Sequence, residues 1–110
     1  MSDDVSLTSG AAAHSLLLES SPAAGATLGA PPERVTLRFN NRIEKKLSTI
    51  RLIDERGASR PVTGLDADGP ADRLTATLSP LPPGPWRLEW RVLSTDGHIV
   101  SGAFSFRVAP

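Results

Sequence analysis

The sequence contains no cysteine and no tyrosine, a single methionine and two histidines. Without cysteine there is no disulfide, no thiolate nucleophile and no thiolate metal site, although the redox compartment stays open. Lysine plus arginine and aspartate plus glutamate each number 12, so the formal net charge is zero. No basic excess points to nucleic acid, and no polybasic segment points to an anionic membrane. No apolar stretch approaches the roughly 20 residues that cross a bilayer as a helix, so no membrane insertion is expected. Helical character is confined to "RIEKKL", residues 42–47, too short for more than one turn. No serine sits in a nucleophile elbow. No glycine-rich phosphate loop is present either, because "GATLGAPP" leads into a strand rather than a helix.

What the sequence does have is alternation. The 110 residues suit one domain, and ten prolines with nine glycines supply frequent turns. In "RVTLRFN" Val35, Leu37 and Phe39 share one side and Arg34, Thr36 and Arg38 the other. Leu74, Ala76 and Leu78 alternate with Arg73, Thr75 and Thr77, and Trp86, Leu88, Trp90 and Val92 with Arg87, Glu89 and Arg91. Phe104, Phe106 and Val108 alternate with Ser105 and Arg107. This period of two marks strands with one buried and one wet face. "SLLLES" and "LSTIRLI" are two further strands, and "ASRPVTG" is a weaker one whose Pro61 argues for a sheet edge. Turn signals separate the runs at "PAAG", "APPE", "DERG", "DADGP" and "PLPPGP". Six or seven short strands so spaced read as an all-β sandwich. All five aromatics fall on the apolar phase, each worth roughly 1.5–3 kcal/mol when buried. A one-residue slip of the last two strands would move four of them into water.

The core thus fixes the register, and the register fixes where "TDGHIV", residues 95–100, is presented. Asp96 and His98 stand two apart, so in extended chain they start from the same side, and Gly97 permits the positive φ of a turn. The pair could chelate a metal, could pair internally, or could simply form a hairpin turn with a histidine at the strand end. The other histidine, His14, follows Ala11–Ala13, the small-residue pattern that a signal peptidase cuts after. The polar segment ahead of it lacks a basic n-region and an apolar h-region. It reads either as a short leader standing where an export signal would be, or as a chance alanine run before the first strand. Residues 1–13 are expected to lie outside the fold and residues 14–110 to form the domain.

From His14 onward the chain resembles the copper resistance protein C (CopC) family of periplasmic copper-binding domains. The resemblance rests on a histidine opening the first strand, on "SSPAAGATL" after it, and on "LPPGPWRLEWRVLSTDGHIVSGAFSFRV" at the close. It implies a Greek-key, immunoglobulin-like sandwich of about seven strands, and one Cu(II) per chain as the only cofactor. Its ligands would be His14, Asp96 and His98, both histidines of the protein among them. It also implies a role in sequestering or delivering copper in the periplasm, with an inner-membrane copper transport protein as partner, and no catalysis.

The donor types suit the ion. Cu(II) takes tetragonal nitrogen and oxygen ligands, and a free α-amine on His14 would add a third nitrogen. As written, thirteen residues precede His14, so that nitrogen is an amide unless the leader is removed. Ligands must be deprotonated, so binding is expected to weaken below about pH 6.5. The single methionine, Met1, offers no soft thioether cluster for Cu(I). Ser94 or Thr95 could orient the ligands through hydrogen bonds, whereas Glu19, Glu44 and Glu89 read as solvated, Glu89 within a charge ladder with Arg87 and Arg91. Two other classes fit a sandwich of this kind: a metal-free structural or interaction module, and a histidine-brace copper oxygenase, against which stand the short chain and the missing tyrosine.

Overall fold

The computed structural model describes residues 16–60, 62–65 and 69–110. His14, the leader segment 1–13, Pro61 and most of the "DADGP" turn lie outside the described residues. Within them the chain runs β1 (Leu17–Ser21), β2 (Thr27–Leu28), β3 (Arg34–Phe39), a single 3₁₀ turn (Lys45–Leu47), β4 (Thr49–Asp54), β5 (Ser59–Arg60), β6 (Val62–Thr63), β7 (Arg73–Leu78), β8 (Gly84–Leu93) and β9 (Ile99–Val108). One sheet has the order β1-β3-β7-β6 and the other β2-β9-β8-β4-β5. Chain neighbours share a ladder only at β4–β5, β6–β7 and β8–β9. The other connections cross between sheets, as in a Greek-key sandwich.

Every strand read from alternation is present with the expected face inward. Val35, Leu37, Phe39, Leu74 and Ala76 of the first sheet are fully buried against Leu52, Leu88 and Val92 of the second. Phe104 is the one aromatic that stays half-buried, packed on the margin of the core. The weak run at residues 58–64 is two edge strands. β5 ends at Arg60 on the edge of one sheet, and β6 begins at Val62 on the edge of the other. β2 was not legible. It is two residues long and pairs with β9 in parallel, a contact that only the folded sandwich provides.

β8 and β9 form a hairpin with unbroken register from Gly84↔Val108 to Leu93↔Ile99. Near its tip the Trp90 indole meets the Phe39 ring edge-on, with centroids 5.3 Å apart and planes at 72°. That geometry is favourable for aromatic pairs, and the contact joins the two sheets. Trp90 faces Gly102 across the ladder, and a Cβ on Gly102 would lie 2.6 Å from the indole Cζ2. Glycine is required here to admit the ring, at the cost of a weaker strand. Farther down the hairpin the Trp86 indole N–H donates to the Pro82 carbonyl (3.0 Å), and the Arg60 guanidinium sits 5.7 Å from the Trp86 ring centroid.

Two substitutions test this wedge. Gly102→Ala should destabilise the fold by about 1–3 kcal/mol through overpacking, and Phe39→Ala by about 3–5 kcal/mol through cavity formation. Urea unfolding followed by tryptophan fluorescence measures both, and a neutral Gly102→Ala would contradict the packing described.

Candidate metal centre

The tip of the β8–β9 hairpin is a three-residue loop, Thr95-Asp96-Gly97. The Ser94 N–H donates to the His98 carbonyl (2.8 Å), and the Gly97 N–H donates back to the Ser94 carbonyl (3.0 Å). Gly97 has φ +90°. These features describe a tight turn closed by a glycine bulge, the usual three-residue hairpin connection. The sequence signal Asp-Gly was therefore a true turn signal, and β9 begins at Ile99, five residues ahead of the alternation read at Phe104. That extension leaves the loop only its three residues.

The turn brings Asp96 and His98 into contact. Asp96 Oδ1 accepts the backbone N–H of His98 (3.1 Å), and Asp96 Oδ2 lies 3.2 Å from His98 Nδ1. Both carboxylate oxygens thus face the one histidine. The imidazole remains 60% exposed, so the pair sits at the surface of a rigid hairpin. Ser94 is buried, and its backbone supplies both hydrogen bonds that close the turn. These main-chain bonds of Ser94 shape the loop.

The start of β1 lies at the same end of the sandwich. Leu16 is clasped at two points by Asn40: its N–H donates to Asn40 Oδ1 (2.7 Å), and its carbonyl accepts the Asn40 N–H (2.9 Å). Three residues on, Ile43 forms a bridge with Ser94, and the Glu44 N–H donates to the Leu93 carbonyl (2.9 Å). A three-residue span reaches at most about 10 Å, so the chain entering β1 and the chain leaving β8 are held near one another. Asn40 and Ile43 were not singled out in the sequence, and Glu44 was read only as solvated, because "NNRIE" carries no alternation and its contacts are long-range. His14 lies outside the described residues. Among the described residues no group of three histidine, aspartate or glutamate side chains comes together.

The glutamates are surface groups, as expected. Glu19 pairs with Arg38 at 2.6 Å. Glu89 pairs with Arg87 at 3.1 Å and with Arg51 of the neighbouring strand at 3.6 Å. Among the described residues no helix is long and apolar enough to cross a membrane.

The turn geometry makes its own prediction. A Cβ on Gly97 would meet nothing within 4 Å, so any cost of substitution there comes from the backbone. Gly97→Ala should lose about 1–2 kcal/mol of stability, and Gly97→Asn distinctly less, since asparagine visits the left-handed region more readily. Equal losses in urea titrations would show that side-chain crowding, not φ, governs the position.

Comparison with known proteins places this geometry. The CopC domain family matches residues 17–109. Copper resistance protein C of Xanthomonas campestris pv. juglandis is 37% identical over 104 residues, covering 87% of this chain and 80% of that protein. Copper transport protein CutJ of Bacillus subtilis is 29% identical over 98 residues, and the chain spans only 18% of its length. The crystal structure of CopC from Methylosinus trichosporium OB3b superimposes with a TM-score of 0.81 at 37% identity, over 88% of this chain and 95% of that one. On the extent of these matches, the chain belongs to the CopC domain family.

Proposed function

We propose that this domain is a non-catalytic, periplasmic Cu(II)-binding protein that sequesters or delivers copper. It holds one ion per chain with His14, Asp96 and His98, joined by the α-amine of His14 where processing frees it. The observation that carries the proposal is the convergence of the Asp96 carboxylate and the His98 imidazole on an exposed loop, at the end of the sandwich where Leu16 is clasped. One residue, Ser15, separates Leu16 from His14 in the sequence, which supports including the first histidine in the ligand set.

The donor set fits the ion. A proton on His98 Nδ1, facing Asp96 Oδ2, leaves the Nε2 lone pair for the metal, the arrangement by which carboxylates orient ligating imidazoles. Asp96 Oδ1 fixes the loop backbone at the same time; for the carboxylate itself to join the ligand set, Oδ2 would exchange its contact with His98 Nδ1 for the ion. Two imidazoles, a carboxylate and an amine give the nitrogen-rich, tetragonal set that Cu(II) prefers. Bound copper contributes the ion itself as cargo; the chain's residues contribute selection by ligand type and an open position for exchange. An inner-membrane copper transport protein is the delivery partner this role calls for.

Calorimetric titration with Cu(II) should give one site. His14→Ala, Asp96→Ala and His98→Ala should each weaken it by at least about tenfold. A chain beginning at His14 should bind more tightly than the chain with residues 1–13, with an additional nitrogen in the electron paramagnetic resonance spectrum. Copper at 100 times its dissociation constant should raise stability by about 2.7 kcal/mol, reversibly on chelation. Failure to take up the ion, or indifference to His14→Ala, would overturn the ligand set. Sustained oxygen consumption by the loaded protein with a reductant would move it to the oxygenase class.

A further inference from the structure

Among the described residues, β9 is paired on only one side along half of its length. β8 covers it from Ile99 to Val108. On the other side the first bond is from the Gly25 N–H to the Ser105 carbonyl (2.7 Å), followed by Arg107 N–H to the Ala26 carbonyl (2.8 Å) and by β2. With unbroken register, odd-numbered residues of β9 turn their backbone groups away from β8. Ile99, Ser101 and Ala103 therefore present N–H and C=O groups outward, and among the described residues no hydrogen bond reaches them. Sheet edges are usually blunted by lysine, proline, a bulge or an inward charge. The run Ile-Val-Ser-Gly-Ala has none of these.

The two faces beside this edge differ. On the wet face β9 carries small residues, Ser101, Ala103 and Ser105, next to Arg87 and Arg91 of β8. They form a shallow groove of about 460 Å³ that also takes in Arg51. Among the described residues, four strand arginines, at 51, 87, 91 and 107, share this side with one strand acid, Glu89, on a chain of zero net charge. Glu89 engages Arg51 and Arg87, and Arg91 has no carboxylate partner among the described residues. On the core side a largely apolar cleft of about 640 Å³ opens between β9 and β1, lined by Leu17, Leu18, Trp90 and Phe104, with Glu19 and Ser20 also at its wall. Leu18 there is 52% exposed.

We infer that the Ile99–Ala103 edge is a docking site for an extended segment of a partner protein in which apolar and acidic residues alternate. Such a segment adds a strand to β9, satisfying the outward backbone groups. Its side chains then alternate between the two faces. The apolar ones enter the cleft against Leu18 and Phe104, and the acidic ones lie over Ser101 and Ala103. The added strand is two ladder spacings, about 10 Å, from β8, a gap that an arginine and a glutamate together span across small side chains. Guanidinium groups favour carboxylates through forked hydrogen bonds. A second copy of the chain is a poorer occupant, because edge-to-edge pairing would face arginine row with arginine row. A lipid surface offers no ladder for the backbone groups. The edge starts one residue after His98, so an occupant lies beside the metal loop.

The test uses the full chain, without metal, and an acetylated peptide of alternating glutamate and valine, followed by amide chemical shifts. The expected result is saturable binding with shifts centred on Ile99, Ser101 and Ala103, weakened by salt. Arg91→Gln and Arg87→Gln, wet-face changes that leave the core untouched, should each weaken it by about two- to fivefold. A peptide with lysine in place of glutamate should not bind. Equal binding of the lysine peptide, shifts elsewhere, or indifference to both arginine changes would overturn the proposal. So would anionic phosphatidylglycerol vesicles binding where the peptide does not, concentration-dependent dimerisation through this edge, or tight peptide binding that appears only once residues 1–13 are removed. Each readout is independent of copper uptake, so failure here and failure of the metal site are distinguishable.

Discussion

The Trp90 indole is wedged between Phe39 of one sheet and Gly102 of the neighbouring strand, and the geometry of the candidate site follows from that wedge. Phe39 is the last residue of β3 and pairs in register with Leu17 at the start of β1. Gly102 and Trp90 lie three rungs below the Leu93↔Ile99 pair that closes the ladder. One indole therefore ties the entrance of the first strand to the tip of the last hairpin, through a core where Phe39 and Val92 are fully buried. Sliding β8 against β9 by one residue would remove the glycine from beneath the ring and turn the aromatic faces outward together. That penalty, rather than any polar contact, determines which side of the sandwich Asp96 and His98 face.

Polar contacts do the finer positioning. Asn40 clasps Leu16 through both a side-chain and a main-chain bond, and the short path from Asn40 to Ile43 delivers the chain to Ser94. Asp96 spends one oxygen on the His98 backbone and aims the other at the ring. A carboxylate in this double role limits both the loop conformation and the ring orientation. It lets a three-residue loop hold a defined side-chain pair although both residues stand in solvent.

The strands were legible because alternation of apolar and polar residues is a direct imprint of a half-buried sheet, and Val35 through Phe39 or Trp86 through Val92 show it without interruption. The Asp-Gly turn was legible for a local reason too, since Gly97 supplies a positive φ that few other residues tolerate. β2 was not legible, because two residues paired in parallel leave no periodic trace. The division of residues 58–64 between two sheets was only half legible: an edge could be read, but not that one run would serve both edges. Asn40 and Ile43 were silent for a related reason. Their partners, Leu16 and Ser94, are 24 and 51 positions away, and nothing in "NNRIE" announces contacts at that separation. The pairing of Asp96 with His98 was one of several readings their spacing allowed, and the turn's hydrogen bonds select it.

The exposure of the pair bears on what kind of chemistry this end of the molecule can support. Catalysis gains most from groups withdrawn from water, where fixed dipoles act in a low dielectric. Here the histidine ring is largely solvated, the loop has three residues, and nothing in the described chain closes over it. Under the proposed function, an ion held at such a point would keep an open approach for an incoming ligand. The stretch of β9 that no described strand covers begins beside the same loop and is flanked by arginines on one face and a largely apolar cleft on the other. A carrier must release its cargo to a particular acceptor. If both proposals hold, a sheet edge that recognises an extended segment by backbone pairing, charge and alternation would hold the acceptor next to the exchangeable ligands without enclosing them.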